Sequence, residues 1–459
     1  MDLDIAFEPG VPLRRQLEDA LRSAIRSGRL EAGAALPPSR HLAEQLGISR
    51  GVVVRSYSQL TAEGYLTARR GAATRVAATR VALTASGIVP HQRQVDPPGF
   101  FRYELRPGTP DFHQFPRAQW RAALLRALRE LPDHGLTYAD NCGVAELRNA
   151  VGGYLSRVRE VVAEPGQVVI CCAVSHALTV LWQVLRARGA RRIAVEDPGW
   201  RWQRYTVEQG GMTAVPVRVD ADGMVVSELA AADVDAVVMT PAHHYPTGVI
   251  MTAARRAKLI AWARQRGALI VEDDYDVEYR FGRDPVSSLQ GMAPDLVAFV
   301  GTTSKTLAPA LRLAWMVPPA RLADDVADVM RATGVTPPTI DQLAMAMFIE
   351  DAALERHLRS MRRRYRVKRD VLVGALRAYL PAARVSGTAA GLHLLAWLPE
   401  GTDERGTAMR AREAGVGLHE LHRHCTTSAP SPSALLLGFA YPTESDLIAA
   451  TKIIAGALG

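Results

Sequence analysis

Apolar residues near the amino terminus repeat at helical spacing. Leu13, Leu17, Leu21 and Ile25 follow one another every four residues, and Gly28 comes soon after the last of them. Side chains at this spacing lie on one face of an α-helix, and glycine commonly ends such a helix. The pattern predicts an amphipathic helix with these four residues on its apolar face.

Two shorter helices are predicted next, separated by a glycine. Ser39 and Ser49 each stand where an N-cap residue would begin a helix, and Gly47 between them supplies a turn. The second of these helices has three apolar side chains that would point inward, at Val53, Tyr57 and Leu60. Two short helices joined by a tight turn describe a helix-turn-helix.

Two short strand-like runs follow in YLTARRGAATRV, one on each side of Gly71. They would form a wing beside the helix-turn-helix. The stretch 77–103 then mixes small, polar and proline residues without a sustained period, so it is predicted to be a linker rather than a structural element.

Beyond residue 104, strand-like apolar runs alternate with amphipathic helical stretches. The strand-like runs are QVVICC, RRIAVED, AVPVRV, DAVVMTP, ALIVEDDYD, LVAFVGTTS and LAWMV. Helices are predicted from His176 to Arg188, near Arg204, and from Ala253 to Arg266. This alternation predicts an α/β fold with a largely parallel sheet covered by helices. In such a fold, ligands bind at the carboxyl ends of the strands.

The composition is that of a globular protein with two or three domains. Of the 459 residues, 48% are hydrophobic and 22% are charged. No apolar run reaches the roughly 18 residues of a membrane helix, and the first ten residues lack the basic and apolar regions of a signal peptide. We therefore expect a cytoplasmic protein.

The four cysteines give no sign of a disulfide framework or of a metal site. They are Cys142, Cys171, Cys172 and Cys425, and none of them has CxxC spacing. We interpret them as small buried residues.

Positive charge is concentrated in the helix-turn-helix. The formal net charge is +8, and between residues 39 and 76 there are six arginines against two acidic residues. The start of the second helix normally enters the major groove, while flanking arginines and backbone amides hold phosphates. A charged helix surface that is only solvated is the alternative. The candidate DNA contacts are Ser39, Arg40, Ser49, Arg50, Arg55, Arg69 and Arg70, with Arg75 beside them.

The stretches PLRRQLEDALRSAIRSGRL, LPPSRHLAEQLGISR and QLTAEGYL resemble the winged helix-turn-helix of GntR-type transcription regulators. The resemblance covers almost all of the first 76 residues and implies a domain that binds double-stranded DNA. The wing departs from the family pattern, because Gly71, Ala72, Ala73 and Thr74 stand where Gly-Ser-Gly-Thr is usual. This difference concerns the contact of the wing with DNA, not the fold.

The stretch GTTSKTLAPALRLAW contains one lysine, Lys305, among small, hydroxylated and apolar residues. A buried lysine loses its proton readily, and the free amine can attack an aldehyde carbon. The hydroxyls of Thr302, Thr303 and Ser304 and the cation of Arg312 would together suit a phosphate. The ligand implied is an aldehyde that bears a phosphate, hence pyridoxal 5'-phosphate (PLP). A surface lysine at the end of a strand is the alternative.

Acidic and aromatic residues follow another predicted strand. ALIVEDDYD places Asp273 and Tyr275 just past a buried run. A carboxylate that faces the pyridine nitrogen keeps it protonated, and a tyrosine hydroxyl can bond the phenolic oxygen of the ring. Acidic clusters also bind metals or cap helices, but no matching histidine set accompanies this one, so no metal site is predicted.

Three further turns could complete a PLP site. Trp200 in DPGWRWQR offers a flat ring for stacking, although a partly buried tryptophan is the plainer interpretation. TPAHHYPTG forms a rigid turn with His243, His244 and Tyr245 that could orient a side chain toward the phenolic oxygen, although two adjacent histidines more often bond the backbone. CCAVSHAL, which includes Cys172 and Ala173, opens a helix whose free backbone amides could hold a phosphate.

These runs together resemble fold-type I PLP enzymes of the aspartate aminotransferase class, and the whole chain resembles the MocR subfamily of GntR regulators. The motifs that carry the resemblance are PGTPDFHQFPRAQWR, EDPGW, TPAHHYPTG, EDDYDVEYR and GTTSKTLAPALRLAW. It implies that Lys305 is the aldimine lysine, that Asp273 faces the pyridine nitrogen, and that Tyr275 bonds the phenolic oxygen.

The same resemblance implies the other contacts with the cofactor. Arg312 and Thr302 would hold the phosphate, and Trp200 would stack on the ring. Tyr138, in TYADNCG, matches a tyrosine that reaches a phosphate across a dimer interface. Active sites of this class are completed at a two-fold interface, so a homodimer is implied, with arms exchanged head to tail.

Some residues near the cofactor depart from the subfamily pattern. Cys172 and Ala173 replace the usual Ser-Gly or Thr-Gly of the phosphate cup, Trp200 stands where tyrosine is more common, and His244 stands where glutamine is common. Arg423, in a cluster with two histidines, is a candidate to hold a substrate carboxylate.

The sequence as a whole predicts a PLP-dependent transcription regulator. Residues 1–76 would bind DNA, 77–103 would be the linker, and 104–459 would form an aminotransferase-like effector and dimerisation domain. The protein would sense PLP or an amino compound through an aldimine at Lys305, and its large domain would serve as a sensor rather than as an enzyme. The alternatives are an active aminotransferase with a DNA-binding arm and a DNA-binding protein whose large domain only dimerises.

Overall fold

Apolar side chains build separate cores in the two units, Met1–Val95 and Asp96–Gly459, into which the chain divides. The computed structural model describes residues 7–68, 72–77, 100–164, 166–282, 287–387, 390–426 and 433–458. The predicted wing residue Gly71, the DNA-contact candidates Arg69 and Arg70, and most of the predicted linker lie outside these ranges.

The first unit is a helix-turn-helix with a two-stranded wing. Its described elements are α1 Leu13–Arg26, α2 Ser39–Leu46, α3 Arg50–Ala62, β1 Leu66–Thr67 and β2 Arg75–Val76. The two strands are antiparallel, with Leu66 opposite Val76. Val53, Tyr57 and Leu60 of α3 are buried as predicted.

The buried face of α1 differs from the predicted one. Leu17 and Leu21 are completely buried, with Ala24 beside them, whereas Leu13 is 39% exposed and Ile25 is half-buried. Each four-residue step turns an α-helix about 40° beyond a full circle, so three steps separate Leu13 from Ile25 by about 120°. Only the residues in the middle of the stripe can face the core.

The turn between α2 and α3 is built on the predicted glycine. Gly47 has a φ of 63°, a left-handed conformation that glycine adopts without steric cost, and it ends α2. Ser49 occupies the N-cap position of α3 as predicted. The prediction for α2 is wrong by one residue, because the extended backbone of Pro38 takes the N-cap position and Ser39 is the first helical residue.

The second unit is mainly helical around a central sheet. Its helices are α4 Arg117–Glu130, α5 Ala145–Arg159, α6 Val174–Ala187, α7 Arg201–Gln209, α8 Val226–Ala231, α9 Ala253–Arg266, α10 Leu289–Met292, α11 Ala323–Thr333, α12 Thr339–Glu350, α13 Ala353–Tyr379, α14 Glu404–Glu413 and α15 Glu444–Ala457. The predicted bounds of α9 are confirmed, whereas α6 begins two residues before the predicted His176. Within the described ranges, no helix combines the length and apolar character that crossing a membrane requires.

The strands of the second unit form one large sheet and two smaller ones. In chain order they are β3 Tyr103–Glu104, β4 Val169–Cys171, β5 Arg192–Asp197, β6 Thr213–Asp220, β7 Gly223–Met224, β8 Ala236–Met239, β9 Leu269–Asp274, β10 Val297–Thr302, β11 Ala314–Val317, β12 Arg384–Ser386, β13 His393–Trp397, β14 Val416–Gly417, β15 His419–Glu420 and β16 Ala434–Gly438.

The large sheet confirms the predicted α/β architecture. Its strand order is β4-β11-β10-β9-β8-β5-β6-β7, and the five strands from β10 to β6 run parallel. Strand β11 is antiparallel to both of its neighbours, and β7 is antiparallel to β6. Because β8, β9 and β10 are parallel neighbours, their carboxyl ends meet at one edge of the sheet.

Helices cover both faces of this sheet. One core cluster joins the sheet to α6 and α11, and another joins it to α8 and α9. All six residues of β9 are therefore buried, including the acidic residues Glu272, Asp273 and Asp274. A smaller antiparallel sheet, β12-β13-β16-β15, lies in the carboxyl-terminal part with α13 and α15 packed beside it.

Candidate functional site

A cavity of about 290 Å³ lies at the carboxyl ends of the central parallel strands. Of the residues predicted to bind PLP, eight line it: Lys305, Asp273, Tyr275, Thr302, Arg312, Trp200, Ala173 and Tyr245. These residues are spread over about 140 positions of the sequence, and they converge because each lies in a strand of the same sheet or within a few residues of one.

Lys305 lies three residues after β10, with its amine in the cavity. Its Nζ donates a hydrogen bond to the carbonyl oxygen of Gly108 at 2.8 Å. Burial lowers the pKa of Lys305, although the negative charges of Asp276 and Asp273 oppose that shift. A lysine with a lowered pKa offers a larger fraction of free amine, which is the form that attacks an aldehyde carbon.

Gly108 makes room for the lysine. Its φ is +78°, which favours glycine, and a Cβ at this position would lie 3.0 Å from Lys305 Nζ. The close approach of the Gly108 backbone holds the amine at a fixed place in the cavity.

Asp273, at the end of β9, offers one oxygen that has no protein partner. Its Oδ2 accepts a hydrogen bond from Gln203 Nε2 at 2.9 Å, whereas Oδ1 is buried without a hydrogen-bond partner among the described residues. Burial raises the pKa of Asp273 to about 7. A buried, unpartnered carboxylate oxygen is costly unless a ligand donates to it, and the protonated nitrogen of a pyridine ring is such a donor. The residues present therefore fit PLP.

Gln203 is a residue that the sequence analysis missed. It lies in the first turn of α7, is 1% exposed, does not line the cavity, and donates a hydrogen bond to Asp273. Its only signal in the sequence is its position three residues after Trp200, one helical turn away. Nothing local to the sequence shows that α7 packs against the end of β9.

The part of the cavity that is lined by the start of α6 suits an anion. The amino-terminal residues of α6, including Ala173, Val174 and Ser175, line it, and a helix amino terminus presents unpaired backbone N–H groups. Thr302 Oγ1 lies 3.0 Å from Ser304 Oγ, and both hydroxyls face the same space as Arg312. Arg312 has a φ of 51°, a left-handed conformation that is uncommon for arginine.

Three predicted residues lie apart from the cavity. Cys172 lines a neighbouring open cavity, which Trp200 and Arg312 also border. Tyr138 is fully exposed on the surface of the unit. Arg423 is exposed and lines a small separate cavity beside Trp200, so the structure does not bring it to the cavity with Lys305.

A group of buried charges supports the strand that carries Asp273. Arg159, the last residue of α5, contacts Asp274 with 2.7 Å between Nε and Oδ2, and the two side chains are 6% and 3% exposed. Glu272 accepts hydrogen bonds from the backbone N–H groups of Leu289 and Gln290, each at 3.0 Å. Sequence reasoning did not find these partners, because they are more than ten residues apart along the chain.

Glu196 at the end of β5 leads to a prediction about pH. Its Oε2 accepts hydrogen bonds from the N–H and the hydroxyl of Thr240, at 2.9 and 2.8 Å. Burial raises the pKa of Glu196 from 4.5 to about 8. His244 lies 3.6 Å away, but burial lowers its pKa to about 3, so it supplies no countercharge. A raised carboxyl pKa contributes stability below pH 4.5 that is lost as the pH rises through about 8.

We expect Glu196→Gln to keep the hydrogen bonds from Thr240 but to remove this titration. Between about pH 5 and about pH 9, the wild type should lose at least about 1 kcal/mol of unfolding free energy relative to this variant. Urea unfolding of the second unit at several pH values measures the difference. Glu208→Gln, an exposed control on α7, should follow the wild type. Parallel losses in wild type and Glu196→Gln would show that Glu196 does not titrate in this range.

The first unit presents its candidate DNA contacts on the surface. Arg40, Arg50 and Arg55 are exposed around the start of α3. Arg50 Nε donates to Ser39 Oγ at 3.4 Å, and Arg40 lies 3.7 Å from Glu44. Arg50 and Arg55 have no ion-pair partner within the described ranges, so their charges are available to phosphates. Ser49, which precedes them, is exposed and makes no cap hydrogen bond.

Two protein families match the two units. Residues 13–76 match bacterial regulatory proteins of the gntR family, and residues 107–407 match aminotransferase class I and II. The second match covers Trp200, Asp273 and Lys305 and the strands beside them.

Relatives with both parts extend over nearly the whole chain. An uncharacterized HTH-type transcriptional regulator of Bacillus subtilis, YhdI, is 32% identical, over 95% of this chain and 93% of the relative. The HTH-type pyridoxine biosynthesis transcriptional regulator PdxR of Corynebacterium glutamicum is 31% identical, over 97% and 96%. The probable rhizopine catabolism regulatory protein MocR of Rhizobium meliloti is 32% identical, over 93% and 90%.

Solved aminotransferases share the fold of the large unit. An archaeal alanine:glyoxylate aminotransferase has a TM-score of 0.71 and 25% identity, covering 78% of this chain and 90% of that structure. The aspartate aminotransferase of Thermus thermophilus with maleate has a TM-score of 0.67 and 22% identity, covering 78% and 91%. The predicted fold-type I architecture of the large unit is confirmed.

Proposed function

Because the chain belongs to the MocR-type subfamily of the GntR family of bacterial regulators, with an aminotransferase-like domain fused to a DNA-binding domain, we propose that it is a transcription regulator that carries PLP on Lys305. Its DNA binding changes when PLP, or an amino compound that reacts with PLP, occupies the large domain. One relative is named for pyridoxine biosynthesis and another for rhizopine catabolism, so relatives with this architecture are named for different small molecules.

The observation that carries this proposal is the pairing of two groups in one cavity. The amine of Lys305 lines the same cavity as Asp273, of which one carboxylate oxygen has no partner among the described residues. When bound, PLP supplies an aldehyde carbon that condenses with a primary amine, with loss of water. A lysine for the aldehyde and a carboxylate for the pyridine nitrogen are the two groups that this chemistry needs.

Each of the other lining residues has a role in the proposal. Asp273 Oδ1 accepts from the pyridine N–H, and Gln203 holds the carboxylate in that orientation. The amides at the start of α6, with Thr302 and Arg312, bind the phosphate. Trp200 stacks on the ring, and Tyr245 packs edge-on against Tyr275 with 6.1 Å between ring centroids.

The proposed assembly is a homodimer. The side chain of Tyr138 is fully exposed in a single chain, and Leu136 beside it is 69% exposed. Exposed apolar side chains of this kind favour an interface, where Tyr138 would reach the phosphate site of the second copy. The two copies would be arranged head to tail, and the two DNA-binding units of one dimer would bind spaced half-sites.

Regulation then follows from linkage between the two sites. A ligand shifts an equilibrium only if it binds two arrangements of the protein unequally. A coupling free energy of about 1 to 3 kcal/mol between ligand and DNA would be typical. In the proposed organisation, residues 1–76 bind DNA, 104–459 bind the ligand, and the connection 77–103 lets one dimer adopt more than one spacing of its DNA-binding units.

Catalytic turnover is the second candidate function. The same Lys305 and Asp273 that bind PLP are the groups that a transaminase uses to move a proton and to make the ring an electron sink. Sustained release of a keto product from an amine that alters the PLP absorbance would favour this candidate. Its absence, with DNA binding changed by the same amine, would favour a sensor.

The proposed function is tested by one sequence of measurements on the full chain. Absorbance in the near-ultraviolet and visible is recorded after addition of PLP and then of a panel of primary amines. Duplexes selected by the protein from a random-sequence library serve as the DNA probe, and their affinity is measured with and without PLP and each amine. We expect a cofactor band that one amine shifts, and an affinity that changes with the same amine. No band with PLP would refute the proposal.

We expect Arg50→Ala to weaken binding to the selected duplexes by about 1 to 3 kcal/mol, or about 5-fold to 150-fold. Arg50 is the first residue of α3, where a recognition helix meets the bases or phosphates. Fluorescence anisotropy with labelled duplexes gives the affinity, and a salt series shows whether a phosphate contact is lost. Arg29→Ala, an exposed arginine outside α2 and α3, is the matched control. Equal losses in the two variants would point to general charge rather than to α3.

A further inference from the structure

The hydroxyl of Tyr275 lies between the cavity and a buried histidine. Tyr275 lines the cavity with Lys305, and its Oη is 3.2 Å from His243 Nδ1. The same nitrogen lies 3.0 and 3.1 Å from the two carboxylate oxygens of Asp276. The side chains of His243 and Asp276 are each 1% exposed. Tyr275, His243 and Asp276 therefore form a continuous network, which we call the tyrosine network.

The contacts determine which nitrogen of His243 carries the proton. An ionised carboxylate only accepts hydrogen bonds, so Nδ1 must carry the hydrogen that Asp276 accepts. Nε2 is buried without a hydrogen-bond partner among the described residues. An unpaired acceptor is better tolerated in a protein interior than an unpaired N–H. We therefore assign a ring hydrogen of His243 to Nδ1.

This assignment leaves two acceptors for the proton of Tyr275, the carboxylate of Asp276 and a group bound in the cavity. Because Nδ1 is a donor, Tyr275 Oη accepts from it rather than donating to it. Burial raises the pKa of Tyr275, and the charge of Asp276 and a hydrogen bond to its carboxylate raise it further, so the phenol keeps its proton. The N–H of His243, with Nδ1 3.0 and 3.1 Å from the two Asp276 oxygens, competes with Tyr275 for that carboxylate, so an acceptor in the cavity can take the Tyr275 proton.

The network is closed off by residues from the carboxyl-terminal part of the chain. Gly391, just before β13, has a φ of +79°, and a Cβ there would overlap His243 and crowd Asp276. His393 of β13 packs on His243, with 5.4 Å between ring centroids, and its Nε2 lies 3.2 Å from the carbonyl oxygen of Pro246. Exclusion of water strengthens the hydrogen bonds inside the network.

We propose that His243 and Asp276 are positioning residues that hold the Tyr275 hydroxyl as a donor toward the phenolic oxygen of PLP. They thereby set the pH at which the bound cofactor loses its proton. The inference rests on the proposed function, because it requires PLP on Lys305. A donor to the phenolic oxygen stabilises the more negative, deprotonated form of the bound cofactor, so it lowers the pH midpoint of the cofactor absorbance.

Other titratable groups face the tyrosine network from every neighbouring element. They are His244 and Tyr245 after β8, Asp273 and Asp274 of β9, Glu278 after β9, Lys305 after β10 and His393 of β13. Burial lowers the pKa of His244 to about 3 and also lowers that of His393, so both rings are neutral. Asp276 also acts on Lys305 directly through its charge. The test must therefore separate that direct effect from an effect through Tyr275.

His243→Leu removes the ring N–H while filling most of the space. Asp276 then turns to the Tyr275 proton, and the donor to the phenolic oxygen is lost. We expect the absorbance midpoint of the PLP-loaded chain to rise by about one pH unit. His243→Asn places an amide N–H near the former Nδ1 and should restore most of the wild-type midpoint. If His243→Leu does not fold, His243→Gln replaces it. The amide of this glutamine reaches toward the former Nε2 rather than Nδ1, so the absorbance midpoint should rise as in His243→Leu.

A double variant shows whether His243 acts through Tyr275. Tyr275→Phe alone should raise the midpoint, and adding His243→Leu should raise it no further, because the two changes remove the same hydrogen bond. His244→Gln is the matched control, since His244 is equally buried but its Nδ1 contacts Thr247 at 2.6 Å rather than Tyr275. It should leave the midpoint unchanged.

Three results would overturn the inference: an unchanged midpoint in His243→Leu, an additive rise in the double variant, or an equal rise in His244→Gln. Each of them requires a cofactor band and therefore leaves the proposed function standing. A wild-type chain that forms no band with PLP would refute the proposed function itself.

Discussion

Lys305→Ala is expected to abolish covalent attachment of PLP and, with it, the response of DNA binding to the ligand. The chain has four lysines, Lys258, Lys305, Lys368 and Lys452. Lys305 lines the cavity, whereas Lys258 and Lys452 are exposed. Lys368 is held by Asp111 at 2.9 Å and by the carbonyl oxygen of Ala440 at 2.7 Å. Its amine is therefore already bound inside the protein.

Borohydride reduction followed by peptide mass spectrometry measures this effect directly. Reduction makes the bond between PLP and an amine permanent, so the modified lysine can be located. We expect the wild type to carry the label on the peptide that contains Lys305, and Lys305→Ala to show only the weak labelling of exposed amines. Lys258→Ala is the matched control and should be labelled like the wild type.

The same variant distinguishes an effect on PLP binding by the second unit from an effect on DNA binding by the first unit. The first unit has its own core, so its fold does not depend on the Lys305 side chain. Lys305→Ala should therefore still bind the selected duplexes, while PLP no longer changes the affinity. A Lys305→Ala protein that keeps the cofactor band and the labelled peptide would show that another amine holds PLP.

Arg159→Ala is expected to destabilise the second unit by about 3 to 5 kcal/mol. The variant leaves the carboxylate of Asp274 buried beside Glu272 without the guanidinium that lies 2.7 Å from it. Burial already raises the pKa of Asp274, and Arg159 opposes that shift. Removing the arginine should raise the pKa of Asp274 further, so the variant should lose more stability as the pH rises and recover part of it in acid.

Chemical denaturation of the full chain, followed by tryptophan fluorescence, measures this loss. Arg157→Ala is the control on the same helix, because Arg157 is 62% exposed and pairs with Glu355 at 3.2 Å on the surface. It should cost about 0.5 kcal/mol or less. If Arg159→Ala were no more destabilising than Arg157→Ala, the buried pair would not be what supports β9.

The substitution Arg159→Ala should also weaken the binding of PLP. Asp274 follows Asp273 on β9. When the Asp274 carboxylate moves away from the space that the Arg159 side chain occupied, it displaces the end of β9 that carries Asp273. We expect weaker PLP binding in Arg159→Ala than in Arg157→Ala under conditions in which both are folded.

Local pattern was sufficient to predict the helix-turn-helix and the strands of the large sheet except β7. The predicted helix from Ala253 to Arg266 has the observed bounds. The predicted strand runs contain β4, β5, β8, β9, β10 and β11, and the run AVPVRV lies within β6. Helical and strand periods are visible within about ten to fifteen residues, so no knowledge of distant contacts is needed. The buried face of α1 was predicted wrongly, because the register of a stripe depends on what the helix packs against. Leu13 lies at the edge of that stripe.

Part of the candidate site also followed from the sequence. Lys305, Asp273 and Trp200 each stand after an apolar run, and ends of parallel strands meet at one edge of a sheet. Their gathering around one cavity is a consequence of that rule. Their roles toward PLP remain predictions, as does the contact of Tyr138 with a second copy.

The sequence by itself thus determined the two kinds of domain, their order, and the residues that follow the central strands. Only the tertiary structure decided which distant side chains support those residues: Gln203 behind Asp273, the His243–Asp276 pair behind Tyr275, and Arg159 beside Asp274. The physical reason is that these contacts join residues 33 to 115 positions apart. Their geometry depends on strand order and on helix packing, and neither of these leaves a periodic trace in the local sequence.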